Sequence, residues 1–123
     1  MSESQLEQLT SAEEFFMLVI EEDRRILGFA VIRKEDAVAR LITIDIDPEY
    51  RRVGLGTDLM VSVENEARRR GCEAMVLEAR ATNAPAIALY AKMGYKPLRV
   101  VPGYYFYPEQ GSTDALEMGK RLL

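Results

Sequence analysis

The sequence has no histidine, no tryptophan and a single cysteine, Cys72, among its 123 residues. The absence of histidine excludes Ser-His-Asp and Cys-His catalysis, and it excludes zinc sites built from cysteine and histidine. A lone cysteine also excludes an intramolecular disulfide. If the protein is an enzyme, its proton-transfer groups must come from Glu, Asp, Tyr, Lys or that cysteine.

A long apolar run and an excess of positive charge are also missing. The longest uninterrupted apolar run, residues 15–20, is far shorter than the ~20 residues that cross a bilayer, and the first residues show no signal-peptide pattern. The formal net charge of -4 argues against non-specific nucleic-acid binding, which needs a basic surface. We therefore expect a cytoplasmic protein with neither a membrane nor a nucleic-acid partner.

A chain of this length can bury one hydrophobic core, so we expect a single domain over residues 1–123. The polar residues 1–13 are expected to be flexible or weakly ordered. Apolar runs at 15–20 and 26–32, each followed by a charged turn, and an alternating segment that ends before Pro48 predict three consecutive antiparallel strands.

The period of the apolar residues changes after these strands from two to about four. This periodicity predicts an amphipathic helix that begins near Leu55 and ends before Gly71. Residues 74–79 predict a strand, which is expected to be parallel to the preceding one because strand–helix–strand connections are right-handed crossovers. A cap at Asn83 predicts a second helix, which ends before Gly94.

Two further strands are predicted at 95–101 and 115–118, with an aromatic segment, residues 104–107, between them. The expected fold class is therefore α/β, or α+β, with a mixed sheet and two main helices.

Two glycines lie between the third strand and the first helix, in the segment Arg51-Arg52-Val53-Gly54-Leu55-Gly56-Thr57. Glycine lets the backbone approach a ligand closely, and the N–H groups at a helix N-terminus favour an anion. The two arginines can add charge-assisted contacts to a pyrophosphate. The segment lacks the third glycine of a dinucleotide fingerprint and the lysine of a P-loop. From the residues alone, a phosphate site and a plain strand–helix turn are equally compatible with it.

Glu78 is the polar exception in the apolar strand 74–79, on the face opposite Leu77 and Ala79. Apolar surroundings raise the pKa of a carboxyl group, which suits a general base near neutral pH. The alternative is a structural glutamate at a strand edge, paired with a neighbour such as Arg80, and the residues alone favour this second interpretation.

Three other features also have a structural interpretation. Tyr90 lies two helical turns past Asn83 and can share its face, but a helical tyrosine is more often a core residue. Cys72 is interpreted as a small packing residue rather than a nucleophile. The three arginines at 68–70 are interpreted as cations that favour the negative end of the first helix.

Two segments resemble one enzyme superfamily. Arg51-x-x-Gly54-x-Gly56 after a strand resembles the acyl-CoA pyrophosphate loop of the GCN5-related N-acetyltransferase (GNAT) superfamily. Residues 77–95, Leu-Glu-Ala-Arg-Ala-Thr-Asn-Ala-Pro-Ala-Ile-Ala-Leu-Tyr-x-x-x-Gly-Tyr, are similar to the matching segment of its RimI-type N-terminal protein acetyltransferases. The resemblance covers about Phe15 to the end. It implies a mostly antiparallel mixed sheet with a V-shaped splay between the central parallel strands, and a shortened N-terminal strand/helix region.

The resemblance also implies an N-acetyltransferase that uses acetyl-CoA and no metal. It makes Glu78 the base that deprotonates the amine and Tyr90 the acid that protonates the leaving thiolate. Asn83 and the backbone of one strand are implied to hold the pantetheine arm, and the glycine segment to hold the pyrophosphate. These implied cofactor-binding residues are Ile44, Asp45, Ile46, Arg51, Arg52, Val53, Gly54, Leu55, Gly56, Thr57 and Asn83.

The acceptor implied by the resemblance is a primary amine, above all a protein or peptide amino group. A small-molecule amine or polyamine is one alternative, and an acetyl-CoA-binding sensor with little turnover is another. Relatives usually begin with a strand and one or two helices that form a wall of the acceptor groove. Here 14 residues precede Phe15, so we expect that wall to be missing, shortened or supplied by a second chain in a homodimer. The aromatic segment 104–107 is expected either to line the acceptor groove or to pack on the sheet or a dimer interface.

Overall fold

The computed structural model describes residues 13–50, 54–107 and 111–123. The strands in these residues are β1 (Glu13–Glu22), β2 (Arg25–Glu35), β3 (Val38–Ile46), β4 (Ala74–Arg80), β5 (Lys96–Val101) and β6 (Ala115–Arg121). The α-helices there are α1 (Leu55–Arg69) and α2 (Ala84–Lys92), and a single 3-10 turn spans Pro48–Tyr50. The strands form one six-stranded sheet in the order β1-β2-β3-β4-β6-β5.

The pairs β1/β2, β2/β3 and β5/β6 are antiparallel. The predicted mixed sheet with two main helices is therefore confirmed, and so are the positions of its strands. The V-shaped splay stays a prediction. The shortened N-terminal strand/helix region was inferred from the few residues before Phe15, and most of them, residues 1–12, lie outside the described residues.

The first strand begins earlier than its apolar run. Residue 13 was expected to be weakly ordered, but Glu13 is the first residue of β1 and pairs with Glu35 of β2. Backbone hydrogen bonds continue a strand whatever the polarity of its side chains, because each residue carries its own donor and acceptor. The rest of the expected weakly ordered segment, residues 1–12, lies outside the described residues.

The chain divides into two compact units, Met1–Met75 with Leu122–Leu123, and Val76–Arg121. A single domain over the whole chain stays a prediction. In the described residues, no helix is both long and apolar enough to cross a membrane.

The first unit is built on the β1-β2-β3 meander, against which α1 packs. The apolar residues of α1 recur on one face, so this face becomes the buried one. Its buried apolar residues are Leu59, Met60, Val63 and Ala67, and those of the meander include Phe16, Ala30, Ile32, Leu41 and Ile46.

Arg68 and Arg69 lie in the last turn of α1 and Arg70 is its C-cap residue, which are the positions that the sequence predicted. Arg68 Nε donates to the carbonyl oxygen of Leu122 at 2.8 Å. Arg69 and Arg70 both donate to Glu66, and the hydrogen bond from Arg69 is the main reason that the pKa of this carboxyl falls to about 2.

A close approach of two strands occurs at Gly28. An added Cβ there would lie 2.5 Å from Ile46 Cδ1 and 2.9 Å from the carbonyl oxygen of Asp45. The backbone oxygen cannot move away without disturbing the β2/β3 pairing. We therefore expect Gly28→Ala to lower the free energy of unfolding by about 1–3 kcal/mol in urea denaturation. In the control Gly56→Ala, the nearest atom to the new Cβ is Ile46 Cγ1 at 3.8 Å, and equal destabilisation by both variants would contradict the steric explanation.

The second unit contains the β5/β6 hairpin, α2 and most of β4. Backbone bonds tie the segment between β5 and β6 to itself and to β4. The Tyr105 N–H donates to the carbonyl of Thr113 at 2.9 Å, and the Ala81 N–H donates to the carbonyl of Asp114 at 2.9 Å. The Asp114 side chain also accepts from the Gly103 N–H at 3.0 Å.

Candidate active site

In the first unit, the end of β3 meets the start of α1. Ile46 is buried, and its Cγ1 would lie 3.8 Å from a Cβ added to Gly56. Ile44 is half-buried and Asp45 is exposed, as expected of alternating strand residues. The backbone segment predicted to hold the pantetheine arm is therefore next to the glycine segment predicted to hold the pyrophosphate.

The N-terminus of α1 is suited to an anion. Gly54 caps the helix in the left-handed conformation, with φ 79° and no side-chain cap. Its carbonyl accepts the first intrahelical bond, from Asp58 N–H at 3.1 Å. The N–H groups of residues 55–57 precede that bond and have no acceptor within an ideal helix, so they can donate to a bound group. An added Cβ on Gly54 would meet nothing within 4 Å, which leaves room for such a group.

Three residues of the predicted pyrophosphate site, Arg51, Arg52 and Val53, lie outside the described residues, and their role stays a prediction. Arg25 pairs with two carboxylates of the turn that precedes them. Arg25 donates to Asp47 Oδ2 at 3.0 Å and to Glu49 Oε2 at 3.2 Å. The sequence analysis missed this arginine because its partners lie 22 and 24 residues away and no local pattern marks such a contact.

In the second unit, a pocket of about 260 Å³ brings together three of the predicted site residues, Glu78, Asn83 and Tyr90. The complete lining is Glu78, Ala79, Arg80, Asn83, Ala86, Tyr90 and Tyr105. A carboxylate, a carboxamide and two phenols thus surround one cavity, which can hold a small polar group and exchange protons with it.

Glu78 reaches the pocket because β4 alternates. Leu77 and Ala79 are buried, which leaves Glu78 half-buried on the opposite face, as predicted. The expected position of Glu78 at a sheet edge is wrong, since β4 lies between β3 and β6 in the sheet.

Asn83 begins α2 and caps it. Its Oδ1 accepts a hydrogen bond from the Ala86 N–H at 3.3 Å, which confirms the predicted N-cap. The same side chain lines the pocket, so the capping role does not exclude contact with a ligand.

We expect Asn83→Ala to destabilise the protein by about 1 kcal/mol, because the Ala86 N–H loses its acceptor. This corresponds to a fall in Tm of about 4 °C for a chain of this size. Asn83→Asp keeps a capping oxygen and is the matched control. If Asn83 also binds the cofactor through its amide, Asn83→Asp restores the Tm in a thermal melt but not the Kd for acetyl-CoA in calorimetry. If Asn83→Asp restores both the Tm and the Kd for acetyl-CoA, capping of α2 is the only role of Asn83.

Tyr90 is half-buried on α2 and packs edge-to-face on Tyr95, with ring centres 6.0 Å apart. Burial raises the pKa of the Tyr90 phenol above its ordinary value. The phenol therefore stays neutral at physiological pH and can donate a hydrogen bond into the pocket.

Tyr105 and Arg80 complete the pocket, and the sequence analysis gave neither a role in catalysis. Burial is the main reason that the pKa of the Tyr105 phenol is raised, and the nearby charge of Glu78 acts in the same direction. The Arg80 guanidinium lies 4.0 Å from the centre of the Tyr105 ring. The spacing of Glu78 and Arg80, two residues apart on one strand, is a signal that could have placed Arg80 beside the pocket.

The aromatic segment 104–107 is not a strand. Tyr105 faces the pocket, whereas Phe106 is 97% exposed and Tyr107 73% exposed. Packing of the whole segment on the sheet is therefore wrong, and its roles in an acceptor groove or at a dimer interface stay predictions.

Cys72 is fully buried, and burial raises the pKa of its thiol. A neutral thiol without exposure is a poor nucleophile, in agreement with its interpretation as a packing residue.

Known proteins match both the sequence and the fold. Residues 1–95 match the family model described as acetyltransferase (GNAT) family. The [Ribosomal protein bS18]-alanine N-acetyltransferase of Salmonella typhimurium is 36% identical over 106 residues, which cover 86% of this chain and 71% of that protein.

Two solved structures resemble this one closely. The ribosomal-protein-S18-alanine N-acetyltransferase from Escherichia coli has a TM-score of 0.80 and 30% identity, over 94% of this chain and 76% of that chain. A GNAT family acetyltransferase from Elizabethkingia anophelis, solved with acetyl-CoA bound, has a TM-score of 0.79 at 19% identity, over 98% of this chain and 83% of that chain.

Proposed function

We propose that this chain, which belongs to the acetyltransferase (GNAT) family, transfers the acetyl group of acetyl-CoA to the amino group of a protein or peptide. Its N-acetyltransferase activity and its resemblance to the RimI-type group are confirmed by the family match and the relatives. The observation that carries the proposal is the pocket shared by Glu78, Asn83 and Tyr90. Relatives that act on an alanine of a ribosomal protein support a protein amino group as the acceptor.

Main-chain groups and arginines bind the cofactor. The N–H groups at the start of α1, together with Arg51 and Arg52, bind the pyrophosphate, since a helix N-terminus and guanidinium groups both favour phosphate oxygens. The left-handed Gly54 lets that backbone come close to the phosphates. Asn83 and the backbone of Ile44–Ile46 hold the pantetheine arm.

Proton transfer in the pocket is divided between two residues. Glu78 takes a proton from the acceptor ammonium, directly or through a water, because only the free amine can attack the thioester carbonyl. Tyr90 donates its phenolic proton to the sulfur of the departing thiolate, and the new C–N bond replaces the broken C–S bond. The proton that the nitrogen loses as the amide forms restores the Tyr90 phenol, and Glu78 releases its proton to solvent. Much of the acceleration comes from holding amine and thioester in line.

The test is release of CoA thiol, measured with a chromogenic disulfide and a panel of acceptors. The panel holds a peptide with a free amino-terminal alanine and an internal lysine, the same peptide with a blocked amino terminus, and a polyamine. Turnover of the free peptide alone is expected. Turnover of the polyamine alone would favour the small-molecule alternative, and tight binding of acetyl-CoA without thiol release would favour the sensor. Native mass measurement tests the homodimer, which stays a prediction.

A further inference from the structure

Arg80 connects the pocket to the segment between β5 and β6. Its Nη1 donates to the carbonyl oxygens of Tyr107 and Ser112, both at 2.7 Å. Its guanidinium also stacks on Tyr105, 4.0 Å from the ring centre. One side chain thus holds a ring of the pocket wall and two carbonyls of the segment that carries this ring.

The described end of this segment before residue 108 is exposed. Two hydrogen bonds join residues 102–107, here named the aromatic loop, to residues 111–114, here named the return segment. The Gly103 N–H donates to the Asp114 side chain, and the Tyr105 N–H donates to the carbonyl of Thr113. Phe106 and Tyr107 are largely exposed, so packing contributes little to fixing the loop. Because Ser112 belongs to the return segment, Arg80 links both sides of the connection to β4.

We propose that Arg80 is a positioning residue that sets acceptor affinity by holding the aromatic loop, and with it Tyr105, at the pocket. This inference rests on the proposed function. A fixed loop binds an extended peptide without first losing conformational freedom. The contacts of Arg80 with Tyr105, Tyr107 and Ser112 are here named the clamp, and acceptor binding therefore depends on this clamp. The clamp contacts lie in the aromatic loop and its return segment, so the acceptor KM is expected to change more than the Kd for acetyl-CoA.

The clamp requires an arginine rather than a positive charge. A planar guanidinium can lie flat on a ring while its N–H groups donate in the same plane to two carbonyls. An ammonium is a point charge on a flexible chain and does not stack in this way. Arg80→Lys therefore keeps the charge while it removes the clamp.

We expect Arg80→Lys to raise the KM for an acceptor peptide about 10-fold, the loss of one to two charge-assisted hydrogen bonds. The kcat and the Kd for acetyl-CoA change by less than about threefold. The matched control is Arg99→Lys, since Arg99 is an exposed arginine of the same unit that pairs with Glu117 at 3.3 Å. An unchanged acceptor KM in folded Arg80→Lys, or an equal rise in the Kd for acetyl-CoA, would overturn the proposal.

A double-mutant cycle tests whether Arg80 acts through Tyr105. Tyr105→Ala is expected to raise the acceptor KM by itself, and Arg80→Lys is then expected to add less than about threefold. Full additivity of the two effects would show that Arg80 acts by another route and would contradict the clamp.

Hydrogen exchange separates failure of the clamp from failure of the proposed function. The amides of Gly103 and Tyr105 are hydrogen-bonded within the segment, and they are expected to exchange faster in Arg80→Lys but not in Arg99→Lys. Unchanged exchange overturns the clamp whether or not the protein turns over. A wild-type protein that releases no CoA with any peptide overturns the proposed function. In that case, the hydrogen-exchange rates of the Gly103 and Tyr105 amides still show whether Arg80 holds the aromatic loop.

Discussion

Glu78→Gln is expected to lose about 10²- to 10⁴-fold in kcat/KM at pH 7, the usual contribution of a general base. Gln keeps the size of the side chain but cannot accept a proton from an ammonium. An α-amino group has a pKa of about 8, so most of the acceptor is protonated at pH 7 and needs the base. The deficit is therefore expected to shrink as the pH rises above 8. The measurement is the pH profile of CoA thiol release for the variant and the wild-type protein.

The control for this variant is Glu73→Gln, which makes the same substitution at an exposed glutamate just before β4. It is expected to keep the wild-type profile. Acetyl-CoA affinity is expected to be unchanged in both variants, because the change affects proton transfer and not cofactor binding. A wild-type rate for Glu78→Gln at pH 7 would remove Glu78 from the mechanism.

Tyr90→Phe is expected to lower kcat about 100-fold while the Kd for acetyl-CoA stays constant. Burial raises the pKa of this phenol above 10, so it stays neutral and can donate throughout the working range. A thiol has a pKa of about 8.5, so complete proton transfer from the phenol is uphill. For this reason we expect an effect at the lower end of the range for acid catalysis. The deficit should narrow above pH 8.5, where the thiolate leaves without a proton.

Tyr95→Phe is the control for Tyr90. Tyr95 is the buried partner of the edge-to-face pair, so the variant removes a phenolic hydroxyl next to the site without touching the proposed acid. We expect Tyr95→Phe to affect Tm more than kcat. If Tyr95→Phe and Tyr90→Phe lower kcat by the same factor, packing of the ring pair rather than acid catalysis explains the role of Tyr90.

The two variants together separate the two proton transfers. The Glu78→Gln deficit follows the ionisation of the acceptor amine, so it changes when an acceptor with a different amine pKa is used. The Tyr90→Phe deficit follows the leaving thiolate and is expected to be the same for every acceptor. Both residues line one pocket of the second unit, and this arrangement allows a single bound amine and thioester to use them in turn.

Local patterns in the sequence were sufficient to predict the elements of the fold. Strand alternation placed Glu78 on the face opposite Leu77, because it depends only on the backbone period of two residues. The capping preference of asparagine placed Asn83 at the start of α2. The boundary at Glu13 was wrong by a few residues, since backbone pairing with Glu35 and not side-chain polarity decides where a strand begins.

By itself the sequence determined the order of strands and helices and the glycine segment that opens α1, and its resemblance to the superfamily made Glu78 and Tyr90 the predicted proton-transfer residues. The tertiary structure alone decided that Tyr105 joins Glu78 in the pocket wall, and that Arg80 reaches Tyr107 and Ser112, 27 and 32 residues along the chain. Such contacts depend on how a loop returns to a strand. The repeat of apolar residues predicts a helix or a strand, but it does not show which residues about 30 positions apart come into contact.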